Sequence, residues 1–161
     1  MSSQEVKKNS GSQYLSFTLN GQPYALPIFS VVEINQMNDI TPVPESPTYV
    51  KGVLNLRGKI IPVIDLRVKF NLPASEYTKQ TCIIVIESRQ GLVGLIVDSV
   101  HEVIELSAEN VEASPKMGAE IEQEYISGMG KVGDAVVILL DVQRMCEVDP
   151  NLNQEPVNQI V

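Results

Sequence analysis

The side chains in this sequence that could do chemistry are few, and their spacing is poor for catalysis. The single histidine, His101, stands between Val100 and the Glu102-Val103-Ile104 run. Nucleophilic catalysis needs a base beside a Ser, Thr or Cys, and an acid to orient that base. No GxSxG-type elbow accompanies His101, which therefore reads as an exposed strand position. Cys82 and Cys146 follow neither CxxC nor zinc-ligand spacing and have apolar neighbours, the pattern of buried thiols in a reducing cytoplasm. Residues 120–124 hold three carboxylates but lack the alternating ligands and central glycine of a calcium loop. Gly128, Gly130 and Gly133 match a GxGxxG spacing. A dinucleotide fold needs a long helix after the third glycine, whereas residues 135–140 (Ala-Val-Val-Ile-Leu-Leu) read as a buried strand. The expectation is a protein with no enzymatic activity, no cofactor and no metal.

One charged pair suits recognition instead. Glu33 lies among Val31, Val32 and Ile34, and Arg57 occupies a tight Leu56-Arg57-Gly58 turn. If they meet across the first half of the chain they shape a binding surface, because the planar guanidinium engages a carboxylate through two parallel hydrogen bonds.

The elements that must position such a surface are strands. Of 161 residues 43% are hydrophobic, mostly Val, Ile and Leu, with no Trp and three Phe. β-Branched bulk of this kind favours pleated surfaces. Residues 15–19 alternate apolar and polar, Asn20-Gly21 is the dipeptide of a type I′ hairpin, and Tyr24-Ala25-Leu26 returns as its partner. Residues 28–32 suggest a brief helical turn before a strand over 32–36. Pro42, Pro44 and Pro47 keep residues 41–46 irregular. Ser46-Pro47 predicts a capped short helix through Val50. Strands follow over 52–56 and 59–64, Asp65 is placed to cap a short helix over 66–70, and 71–80 is a polar connector. Residues 81–87 and 92–97 form the next hairpin.

The pattern then repeats. Ser30-Val31-Val32-Glu33-Ile34 is echoed 69 residues later by Ser99-Val100-His101-Glu102-Val103, and Tyr49-Val50-Lys51-Gly52 76 residues later by Tyr125-Ile126-Ser127-Gly128. Gly58-Lys59-Ile60-Ile61 matches Gly133-Asp134-Ala135-Val136, and Asp65-Leu66 matches Asp141-Val142. The growing offset places an insertion between Leu106 and Glu124. Four blocks in one order indicate a duplicated β unit. Short strands with Gly-rich turns and no long amphipathic helix favour small closed barrels, two of them sharing a junction. Closure removes sheet edges, so binding must use side-chain surfaces, grooves between units, or loops.

Composition removes other classes. A net charge of −8 opposes nucleic-acid binding by a small barrel, which needs a basic face with exposed aromatics, and equally opposes adhesion to anionic membranes. No apolar run reaches the roughly 20 residues of a membrane span, and residues 1–12 are polar, unlike a secretory signal. Residues 1–12 and the tail 149–161 are expected to be disordered.

Several stretches resemble the CheW family of bacterial chemotaxis coupling proteins: residues 14–26 with their Asn-Gly hairpin, Val31-Val32-Glu33-Ile34, Gly94-Leu95-Ile96-Val97-Asp98 and Tyr125-Ile126-Ser127-Gly128. Above all, residues 49–67 carry a GVxNLRGxxxPVxDLR-like core. The likeness spans residues 14–146. It implies an all-β fold of two five-stranded SH3-like β-barrels side by side with short helices, forming one CheW-like domain over 13–148. Its first unit covers 13–72 and its second 80–148, with exchange of strands between them left open. It also implies a cytoplasmic adaptor between chemoreceptor tips and the regulatory domain of the histidine kinase CheA. That kinase domain is a CheW-like double barrel as well, so contacts run barrel end to barrel end in rings. Service to a parallel pathway, such as pilus-driven motility, is the alternative. Carried over by residue, the receptor-facing set is Val31, Glu33, Gly52 and Arg57; the kinase-facing set is Ile60, Cys82, Val111, Glu112 and Met117. Relatives can carry a basic and an aromatic residue where this chain has Glu112 and Met117, and an aliphatic one at Cys82. A receiver fusion is not expected, since no phosphoacceptor domain follows Val161.

Overall fold

Turn chemistry sets the hairpins. Asn20 and Gly21 (φ 54° and 78°), and Arg57 and Gly58 (φ 51° and 88°), both supply the two successive positive φ angles of a type I′ turn. The computed structural model describes residues 12–113 and 125–146 of the chain. In it, β1 (Ser12–Leu19) and β2 (Gln22–Pro27) flank the first turn, and β4 (Val50–Leu56) and β5 (Lys59–Asp65) the second. Between them a 3₁₀ turn, Ile28–Ser30, leads into β3 (Val31–Gln36). β1 begins at Ser12, paired with Leu106, three residues before the apolar alternation would start it. Asp65 caps α1 (Leu66–Lys69) by accepting the Arg67 N–H at 3.0 Å.

One local expectation is corrected. Residues 47–50 form a turn closed by the Val50 N–H on the Pro47 carbonyl (2.9 Å), not a helix. The Ser46 hydroxyl turns back to the Val43 carbonyl at 2.8 Å. Val50 is already committed to β4, so the segment is too short to propagate a helix beyond its nucleus.

The second half repeats the order: β6 (Cys82–Ser88), β7 (Gly91–Val97), β8 (Ser99–Leu106), β10 (Ile126–Val132), β11 (Ala135–Leu140) and α2 (Val142–Cys146). The insertion contributes a 3₁₀ turn, Ala108–Asn110, and a two-residue strand, β9 (Val111–Glu112). Residues 71–80 are irregular but tied down: Tyr77 donates to Asp65 Oδ2 at 2.7 Å, and Arg67 Nη1 donates to the Pro73 carbonyl. The expected disorder of the N-terminus before Ser12 and of the tail lies outside the described residues, as does the acidic run 120–124.

The sheets do not follow chain order. One runs β8-β1-β2-β11-β10-β9 and the other β3-β6-β7-β5-β4. The first hairpin of each repeat therefore completes the barrel of the other repeat, a reciprocal exchange. Registers agree between the two barrels: Val63 opposite Gly94 in the parallel β5–β7 pair corresponds to Leu139 opposite Ala25 in β11–β2. Bulges recur as well, at Val50/Gly52 and Ile126/Gly128, 76 residues apart. The Asp65 N–H to Tyr49 carbonyl bond (2.8 Å) likewise recurs from Asp141 to Tyr125 at 2.8 Å. This register aligns the turn Arg57-Gly58 with Gly133-Asp134, shifting by one residue the match of Gly58 with Gly133 that the sequence suggests.

Exchange explains why β6 is apolar on both faces. Ile83 and Val85 fill the first barrel with Leu54, Ile61, Val63 and Ile96. Ile84 and Ile86 face a core shared with Leu15, Phe17 and Leu26 of the exchanged hairpin and with Leu140 and Met145. Ala25, Leu106, Val137 and Leu139 fill the second barrel. Each fully buried Ile or Leu contributes about 1.5–3 kcal/mol of transfer free energy, so the shared core is a principal bond between the barrels. An aromatic row, Phe17–Tyr24–Phe70–Tyr125, with centroids 5.8–6.0 Å apart, runs through that junction. The Lys69 ammonium lies 3.9 Å from the ring centre of Tyr49 and 5.1 Å from that of its repeat counterpart Tyr125.

Candidate protein-binding surface

The first barrel is closed at a seam between its two edge strands, β3 and β4. Backbone hydrogen bonds in both directions between Thr41 and Val53, each 2.9 Å, form one side of the closure. A side-chain bridge forms another. Arg57, at the β4–β5 turn and 71% exposed, donates through Nη2 to Glu33 Oε1, while Asn35 Nδ2 donates to Glu33 Oε2 at 2.7 Å. These two donors, Arg57 first, hold the Glu33 carboxyl below its ordinary range.

Gly52 is packed against the same seam. Its φ of +153° is a glycine conformation, and a Cβ there would lie 2.1 Å from the Thr41 carbonyl oxygen. Val31 is half-buried against the shared core at the start of β3. The structure thus joins Glu33 and Arg57 and sets Gly52 against the Thr41–Val53 closure of the same seam, while Val31, at the start of the same strand as Glu33, packs on the shared core. It also exposes Val32 and Ile34 on that strand and, 85% exposed in the turn before it, Phe29, which the sequence reading did not single out. The available signal was a Phe in the short link between β2 and β3, at the chain's crossover from one barrel to the other.

The second set of residues is dispersed. Ile60, 61% exposed, sits on β5 beside the Arg57 turn and opposite Asn55. Cys82 opens β6, half-buried, opposite Gln36 and Val97, its Sγ donating to the Gln80 carbonyl at 3.1 Å. Continuing the β5–β7 register puts Ile60 level with Gly91 and Ser88, the far end of β6 from Cys82. Val111 and Glu112 lie on β9 of the other sheet, opposite Gly130 and Met129, with Glu112 paired to Lys131 at 2.9 Å. Met117 lies outside the described residues.

At the second crossover, Asp98 joins β7 of one barrel to β8 of the other. Arg67 grips it bidentately, Nε to Oδ1 at 2.8 Å and Nη2 to Oδ2 at 2.6 Å, and the Asn20 N–H adds a bond at 2.8 Å. Burial pushes the Asp98 carboxyl up, but the Arg67 and Asn20 donors outweigh it and hold the group below its ordinary range. The glycine fingerprint resolves as a hairpin: Gly128 and Gly130 lie within β10, and β11 follows Gly133. His101 is exposed, its Nε2 3.2 Å from the Ser99 hydroxyl.

Two strand-exchanged small barrels whose surface bears an ion-paired seam beside exposed apolar side chains define a protein-binding module. The family model described as CheW-like domain matches residues 13–149. Chemotaxis protein CheW of Bacillus subtilis is 40% identical over 152 residues, covering 94% of this chain and 96% of the relative. That of Klebsiella aerogenes is 38% identical over 135 residues, covering 84% and 81%. The crystal structure of the scaffolding protein TtCheW from Thermoanaerobacter tengcongensis superposes with a TM-score of 0.81 at 36% identity, over 86% of this chain and 94% of that one. The chain belongs to the CheW family, and its barrels are the SH3-like pair of that fold.

Proposed function

We propose that this protein is a non-catalytic adaptor that couples chemoreceptor cytoplasmic tips to the histidine kinase CheA. The observation that carries the reading is the family match over the whole strand-exchanged fold. Within it, the proposed receptor contacts are Val31, Glu33, Gly52 and Arg57; the Glu33–Arg57 pair and the packing of Gly52 at the first barrel's seam support that reading. An apolar strand face beside a Glu–Arg pair suits the apolar stripe of a receptor helix. Ile60, Cys82 and the 111–117 segment are the proposed kinase contacts. Their dispersal over two strands and a second sheet fits a kinase that touches the adaptor at both barrel ends. Signalling then needs no chemistry here, only contacts that differ between receptor states.

The adaptor works in the cytoplasm on this reading. No helix among the described residues is long and apolar enough to cross a membrane. Membrane association comes through the receptors. Reconstitution tests the reading: the chain should raise CheA activity on receptor-bearing vesicles, and Arg57→Glu should abolish that rise. Unchanged affinity of Arg57→Glu for both partners would remove Arg57 from the interface.

A second pathway has a specific observation behind it, since protein PilI of Pseudomonas aeruginosa is 34% identical over 86 residues. That match covers 53% of this chain, against 94% for the B. subtilis chemotaxis protein, so the flagellar reading is preferred. Deletion of the gene with swimming and twitching scored side by side separates the two.

A further inference from the structure

The duplication lets each barrel be compared with the other at the same place, and the seam is where they differ. β3 and β8 correspond at an offset of 69, and both carry a bulge at the matching position, after Val31 and after Val100. Glu33 therefore corresponds to Glu102, whose backbone N–H and C=O are both held by the Ser16 hydroxyl, at 3.2 and 3.0 Å. Arg57 corresponds to Gly133 at an offset of 76. Where the first barrel has an arginine reaching its glutamate, the second has no side chain at all.

Among the described residues the Glu102 carboxylate has no hydrogen-bond or ion-pair partner. A groove of about 550 Å³ opens beside it, walled by Phe17, Val100, Ile104, Val132 and Val137. Gly133 has a φ of +60°, and a Cβ built there meets nothing within 4 Å, so the position from which Arg57 reaches out in the first barrel is uncrowded in the second.

We infer that this open seam of the second barrel is a docking groove for a partner protein's turn or strand carrying an arginine or lysine between apolar side chains. Its cation meets Glu102, and its apolar flanks lie on the groove walls. The occupant's chemistry is set by the first barrel, which supplies the same arginine from its own β4–β5 turn, with Leu56 just before it and Ile60 three residues after it. A net charge of −8 further favours approach of a basic segment. The groove shares no residue with the proposed receptor-facing or kinase-facing sets and does not depend on them.

The probe is a cyclised peptide carrying residues 54–62 of this chain, the segment that meets Glu33 in the first barrel. It is titrated into the isotope-labelled full chain and followed by amide NMR shifts. Saturable shifts confined to residues 100–104 and 132–137 are expected. Binding should weaken by roughly tenfold or more with a peptide bearing Glu for its Arg, with Glu102→Gln, and with Gly133→Arg, which fills the seam from within. Circular dichroism checks that Gly133→Arg folds; Glu102→Gln is a conservative surface change and carries the test by itself. Absence of saturable shifts in the groove, or shifts indifferent to both the peptide charge and Glu102→Gln, would overturn the inference.

Discussion

Arg57 and Glu33 lie on the two edges of one five-stranded sheet, and their ion pair, with the Thr41–Val53 backbone bridge, joins those edges into a barrel. Removing either charge should affect stability little, because the arginine is exposed and solvent screens the pair. Binding should suffer instead. Arg57→Glu and Glu33→Arg each weaken receptor capture, and the charge-swapped double variant recovers part of the loss; strictly additive losses would separate the two residues. The pH dependence has a definite sign. The Glu33 carboxyl is depressed in the folded state, so its contribution is complete above the ordinary carboxyl pKa and fades as pH falls through the lowered value. The stability difference between wild type and Glu33→Gln should narrow in the same direction.

Arg67 and Asp98 tie the β7–β8 crossover to α1. Asp98→Asn keeps the shape but loses the charge-assisted fork, and should cost about 1–2 kcal/mol in urea unfolding after discounting for partial exposure of the carboxylate. Because the folded Asp98 carboxyl is also depressed, the gap between wild type and variant should shrink as pH drops below the carboxylate range. A gap that is flat across acid pH would contradict the assigned bond.

Gly52→Ala places a methyl 2.1 Å from the Thr41 carbonyl oxygen at a φ alanine avoids. The expected loss is roughly 2–4 kcal/mol, by a shift of the Thr41–Val53 bridge. Gly128→Ala meets its nearest atom, the Glu112 carbonyl oxygen, at 2.9 Å on a short edge strand. It should cost less. Equal losses in thermal unfolding would show that the bridge does not hold Gly52.

The two thiols should differ sharply towards iodoacetamide. Burial pushes the Cys146 thiol up to about 12, the nearby Lys69 opposing only in part, so its thiolate is scarce near neutral pH. Cys82 is half-buried at a strand end. Mass spectrometry of the native protein should find one alkylated cysteine, at position 82, and two after denaturation. Early modification at position 146 would mean that the shared core opens readily.

Local features were legible because their causes are local. Asn20-Gly21 and the alternation before it specify a hairpin through φ preference and side-chain period, and Asp65 caps a helix from two residues away. The turn at residues 47–50 escaped this reasoning because cap residues describe how a helix starts, not whether β4 has already claimed the next residue. The apolar exposure at Phe29 escaped it too, since nothing in a side chain's identity says whether a crossover will cover it.

The sequence by itself determined that there are two copies of one β unit, where their turns fall, and the family they belong to. Only the tertiary structure decided which copy's hairpin closes which barrel. The two hairpins have the same alternation and the same ladder requirements, so pairing β1–β2 with β11 or with β5 satisfies the local pattern equally; the shared core of Phe17, Ile84, Leu95 and Leu140 is what fixes the choice. The same folding decided that Glu33 meets an arginine 24 residues away while Glu102 meets none among the described residues. Distance along the chain is silent on such contacts, and equivalent positions in two barrels can therefore differ in what they offer a partner.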